Sequence, residues 1–233
     1  MGARIDAVAF LLAVFLFTLP LVVAVGNDDP ASLPQAVWLQ AAVPLFWIGR
    51  FAAGRTTEAR RFSRFLMPVA ALLAWAALST LWAPDLFAAE RVLFLWIAAA
   101  GLGVLVATTI ESPMQAERLL LALFWACVVV SGLGLLQHLA GWNGLPQAFP
   151  PAGTMGNKNV AAGFVAVMAP LGVAAFAVAT SAAWLIAISL GMAFAFVLHT
   201  GCRAAGLALV VQLVVALSFV PVRDIVSRWP RAK

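Results

Sequence analysis

Polar residues in this chain come in short bursts. The apolar runs between them are about 20 residues long, which as helices would cross a hydrocarbon core of about 30 Å. Eight such runs are expected to be helical: Ile5–Val25, Gln35–Phe51, Phe65–Leu81, Val92–Ile110, Leu119–Leu139, Val160–Ala179, Ala182–Leu198 and Ala204–Val222. Two polar knots stand out against them. One is Pro150-Pro151-Ala152-Gly153-Thr154-Met155-Gly156-Asn157-Lys158-Asn159, and the other is His199-Thr200-Gly201-Cys202-Arg203.

Composition turns the eight runs into spans. The 233 residues are 64% hydrophobic and 10% charged, with a mean hydropathy of +1.04, whereas a soluble domain carries about 25% charged residues. The expected fold is an all-α, polytopic membrane bundle of about eight transmembrane helices, treated as a single membrane domain over 1–233. The first run exceeds the 7–15 apolar residues of a signal-peptide core, so it is read as a retained helix.

The net charge of +5 would suggest a nucleic-acid partner if the cations were clustered on one surface. They fall instead in short loops, where the positive-inside rule accounts for them. Arg50, Arg55, Arg60, Arg61 and Arg64 follow the second run, and Arg223, Arg228, Arg231 and Lys233 fill the tail. With Arg4 and Arg118 these put eleven cations in the cytoplasm, together with both termini. Only Arg91, Lys158 and Arg203 are left outside, and topology gives no reason for those three. No nucleic-acid partner is expected.

The outer cations sit in suggestive surroundings. Lys158 lies between Asn157 and Asn159 where a helix is expected to begin, and Gly153 and Gly156 let backbone approach a ligand closely. Amides at a helix start, joined by such side chains, favour an anion. Arg203 also opens a run, and its planar fork suits paired phosphate oxygens. Arg91 follows Glu90, so a surface ion pair competes with a ligand-binding role. Each of the three could equally be a snorkelling side chain.

Other candidates are weaker. His138 and His199 lie at outer span ends and could serve as acid or base, or as hydrogen-bonded interfacial residues. Asp85, beside Pro84, could cap a loop or act as an acid. Trp82 and Trp142 fit an aromatic belt. Cys127 and Cys202 match no metal or redox spacing, no phosphate-binding loop is present, and no His/Cys/Asp cluster has ligand spacing. No metal and no cofactor are expected. A coupled transporter would place acidic residues within spans, and here they fall at span ends or in loops.

Four segments together resemble the O-antigen ligase and polymerase superfamily. Gly153-Thr154-Met155-Gly156-Asn157-Lys158-Asn159 is similar to that family's Gly-Thr-Phe-Gly-Asn-(Pro or Lys)-Asn signature. Thr200-Gly201-Cys202-Arg203-Ala204-Ala205 resembles its Thr-x-Ser-Arg-Gly-Ala element, with Cys202 at the usual Ser and Ala204 at the usual Gly. Leu78-Ser79-Thr80-Leu81-Trp82-Ala83-Pro84-Asp85, with Arg91 after it, resembles its Leu-Ser-x-Leu-Trp-Ser-x-Asp loop. Gly134-Leu135-Leu136-Gln137 fits its Gly-hydrophobic-hydrophobic-Gln helix end. The likeness covers roughly 65–215.

The resemblance implies a multi-pass protein of the bacterial inner membrane. Its activity would be metal-independent glycosyl transfer from polyprenyl pyrophosphate-linked glycan, for lipopolysaccharide or surface polysaccharide. Arg203 and Arg91 would bind pyrophosphate, with Lys158, Asn157, Asn159 and Gly156 shaping the donor pocket. Members of the family continue into a second half with a large periplasmic loop carrying the catalytic histidine. That histidine has no counterpart here, so no catalytic residue is assigned. The chain is expected to be an N-terminal half, whether truncated, a fragment or one part of a split protein, with a possible partner chain supplying the rest. Two other classes stay open: a non-catalytic module binding or scaffolding lipid-linked glycan, and a small transporter.

Overall fold

The computed structural model describes residues 7–24, 31–52, 63–178 and 183–219. Among them the chain is helical, with eight α-helices: α1 Ala7–Thr18, α2 Ser32–Ala52, α3 Ser63–Ser79, α4 Leu86–Thr109, α5 Pro113–Leu139, α6 Lys158–Val178, α7 Ala183–Thr200 and α8 Arg203–Phe219. No strand forms among these residues; the single β-bridge pairs Phe149 with Asn157. Every expected run therefore contains a helix. The arginines at 55, 60 and 61 and the basic tail lie outside the described residues.

Two helices, α4 and α5, are long and apolar enough to cross a membrane. The apolar window of α4 is only 17% buried, and Phe94, Trp96 and Ile97 along it are exposed. Burial inside the protein therefore does not explain its apolar character, whereas lipid would. Helix α1 is shorter than its apolar run. Its twelve residues reach about 18 Å at 1.5 Å per residue. A 3-10 turn follows over Leu19–Leu21 with Pro20 inside it, and Val22 is extended, because proline cannot continue the hydrogen-bonded helix.

Local chemistry sets several boundaries differently from the sequence reading. The expected outer loop 82–91 is mostly helix, because Asp85 caps α4 by accepting from the Ala88 amide at 3.0 Å. Asp85 is thus a cap, and Arg91 lies on the second turn of α4 rather than at its start. The expected inner loop 111–118 is also mostly helix. Ser112 Oγ accepts from the Gln115 amide at 3.3 Å. Gln115 Oε1 in turn accepts from the amides of Glu111 and Ser112, at 2.7 and 3.1 Å. With Pro113 at the first position, this is a capping box.

The chain separates into two compact units, one of 1–12 with 35–115 and one of 13–34 with 116–233. In the first, α3 and α4 form a hairpin, and α2 reaches α4 through Trp47, whose Nε1 donates to the Gly101 carbonyl at 3.3 Å. Arg50, expected in the basic loop, lies inside α2 and is buried. Its guanidinium donates to Thr109 Oγ1 at 3.4 Å, while Nε is buried without a partner.

In the second unit, α6 packs against α7 and α8 around a core that includes Cys127, Val130, Met155, Ala162, Val165, Phe196, Val197 and Leu209. Small residues let these helices approach closely, as in membrane interfaces. At Gly134 of α5 an added methyl would collide with the Phe196 ring, and at Gly172 of α6 with the Phe124 ring.

Candidate functional site

The second unit brings both polar knots to one end. Helices α6, α7 and α8 follow one another through short connections, so α6 and α8 run parallel and both begin where α7 ends. Gln212 of α8 donates from Nε2 to the Ala166 carbonyl of α6 at 3.0 Å. Ala166 lies eight residues after Lys158 and Gln212 nine after Arg203. At about 1.5 Å per residue the two helix starts are therefore level. Met155 from the first knot and Ala205 beside the second belong to one core.

The first knot is held by buried polar bonds. Gln137, on the last turn of α5, donates from Nε2 to the Gly153 carbonyl at 2.9 Å. Its Oε1 accepts from the amides of Ala152 at 3.0 Å and Gly153 at 2.8 Å. Gln147 Oε1 also accepts from Ala152, at 3.0 Å. Thr154 Oγ1 donates to the Pro20 carbonyl at 2.6 Å, so the turn that ends α1 props this loop. The Pro150–Pro151 bond is cis. Gly153 has φ +57°, and a methyl on it would stand 2.6 Å from the Val130 carbonyl. No larger residue would fit that bend without displacing α5.

The outer part of this loop leads into α6. The amide of Ala148 donates to the Gly156 carbonyl at 2.8 Å and that of Lys158 to the Phe149 carbonyl at 3.0 Å. Asn157 caps α6, its Oδ1 accepting from the Asn159 amide at 2.8 Å. Two of the amides expected to be free for an anion are therefore already engaged, and Asn157 uses its side-chain oxygen as the cap. Gly156 has φ +70°, and an added methyl would meet Ala31 Cβ at 3.1 Å. Lys158 is half-buried and Asn159 exposed.

The second knot is built around Thr200. Its buried hydroxyl donates to the Val197 carbonyl at 2.6 Å and accepts from the Cys202 amide at 3.2 Å. Gly201, at φ +65°, reverses the chain so that α8 begins at Arg203. The Arg203 side chain is exposed. At the start of this knot, the exposed ring of His199 lies against that of His138, with centroids 4.5 Å apart.

Of the six residues assigned to donor binding, Gly156, Asn157, Lys158, Asn159 and Arg203 belong to this unit, and Arg91 belongs to the other. Ser79 and Thr80 bond back to the carbonyls of Ala76 and Ala77, each at 2.7 Å, which accounts for those hydroxyls. The sequence reading missed the buried Arg50, the Pro20 prop and the meeting of the two histidines. Among the described residues no group of three or more His, Cys, Asp or Glu could hold a metal. No family model matches this chain, and no curated protein or solved structure was found to be similar to it.

Proposed function

We propose that the chain is a multi-pass protein of the bacterial inner membrane that holds polyprenyl pyrophosphate-linked glycan, in the manner of an O-antigen ligase or polymerase. Its eight helices are read as spans, with both termini cytoplasmic. The observation carrying this reading is the pair of cations at level helix starts. Lys158 is the first residue of α6 and Arg203 the first of α8. A cation at a helix N-terminus stands at the positive end of the macrodipole, a placement unfavourable by about 0.3–1 kcal/mol. Two neighbouring helices sharing that placement concentrate positive potential at one rim, and an anion arriving there offsets it.

A pyrophosphate carries the charge such a rim needs, and its polyprenyl chain suits the surrounding lipid. Arg203, being exposed, would grip phosphate oxygens with its fork, and Lys158 would act as a point charge beside it. The same arrangement would stabilise charge building on a departing pyrophosphate. Asn159 would reach the glycan side, while Asn157 and Gly156 shape the loop. Binding of a polyprenyl pyrophosphate glycan by the purified chain, with transfer recorded in the same sample, tests the reading. Saturable binding that weakens in Arg203→Ala supports it, and failure to bind refutes it.

A further inference from the structure

The meeting of His138 and His199 has an outcome the glycan reading does not use. His138 lies on the last turn of α5 and His199 on that of α7. One turn below, Gly134 admits the Phe196 ring and sets the two helices close together. Both imidazoles are exposed, so each can turn about χ2 without disturbing the core. They meet from residues that are 61 positions apart, which is why sequence spacing gave no sign of them.

We propose that His138 and His199 form a two-imidazole chelate for a late first-row divalent ion, Cu²⁺ or Ni²⁺ foremost. A metal–nitrogen bond of about 2.0–2.1 Å puts an imidazole centre about 3.2 Å from the ion. Two such rings at a right angle about one ion then have centres about 4.5 Å apart, whereas a tetrahedral angle needs about 5.2 Å. The observed separation is 4.5 Å with the ring planes 39° apart, which leaves both rings within reach of one ion of square-planar or octahedral preference. The electrostatics agree, because each ring lies on the last turn of a helix, where the dipole favours a cation. Cu²⁺ heads the affinity order for such nitrogen ligands. Water completes the coordination sphere.

The test uses the full chain in detergent, without a polyhistidine tag, titrated with Cu²⁺ and separately with Ni²⁺. One ion per chain is expected, with nitrogen hyperfine structure from two imidazoles in the Cu²⁺ EPR spectrum. Loss of either ring removes the chelate, so His138→Ala and His199→Ala should each weaken binding by about a hundredfold. The double variant should be little worse than either single one. No saturable binding would overturn the proposal. Binding unchanged in His199→Ala, or two independent half-losses in the single variants, would overturn it too. Both side chains are exposed, so unchanged thermal unfolding of the variants confirms that any loss is local.

Discussion

Gln137 holds Gly153 from both sides, donating to its carbonyl at 2.9 Å and accepting from its amide at 2.8 Å. One side chain at the end of a helix thereby fixes a loop 16 residues away. Gln137→Ala would leave the Gly153 amide and carbonyl buried without the bonds Gln137 gives them, each costing about 1–3 kcal/mol. A clear drop in thermal stability is expected, with faster proteolysis confined to 147–157. Gln137→Glu supplies the two acceptor bonds but lacks the amide donor, so it should fall between Ala and the parent in the same unfolding assay.

Gly134 and Phe196 share one space. Gly134→Ala should destabilise the chain, because a methyl collides with the ring and overpacking costs about 1–3 kcal/mol. Trimming the ring in Phe196→Leu should recover part of that loss. A double-mutant cycle on unfolding reads the coupling. Strict additivity would mean that α5 and α7 do not meet at this point.

Arg50 is buried with Thr109 as its hydrogen-bonded partner and Nε unpaired. Thr109→Val removes the partner and leaves the charge, so it should cost about 1–3 kcal/mol. Arg50→Met removes the charge as well and should be milder, since replacing a buried charge by an apolar side chain of similar length is often neutral. Chemical denaturation of the two variants gives the order. A larger loss in Arg50→Met would mean that the guanidinium has partners beyond Thr109.

The proposed topology makes its own forecast. In a chain with Cys202→Ser, a cysteine at Asn159 or His199 should react with a membrane-impermeant maleimide from outside the inner membrane. A cysteine at Arg60 should react only after the membrane is opened. Asn159 and His199 are exposed at the same end of the second unit, so labelling of one without the other would contradict the parallel course of α6 and α8.

The helices were legible in the sequence because apolar runs are local signals. The caps at Asp85 and Ser112-Pro113 were not read as such, and α4 and α5 therefore start ahead of the runs expected at Val92 and Leu119. The Gly134–Gln137 segment was legible only as a resemblance. Its physical content, a glycine that admits Phe196 and a glutamine that clamps Gly153, depends on contacts the pattern does not carry. The Thr154–Pro20 bond joins residues 134 apart, beyond any periodic signal. Arg50 was misread for a related reason. An arginine beside a basic loop looks like part of it, and only the approach of Thr109 shows that its stem turns inward.

The central claim is that the rim formed by the starts of α6 and α8 binds a pyrophosphate-linked lipid. The most direct measurement is the affinity of the purified chain for a polyprenyl pyrophosphate glycan, compared across Arg203→Ala, Lys158→Ala and Arg60→Ala. A charged hydrogen bond is worth about 1.5–3 kcal/mol, so Arg203→Ala should lower affinity by roughly tenfold to a hundredfold. Lys158→Ala should lower it less, and Arg60→Ala not at all. Equal affinity in all three variants would contradict the account.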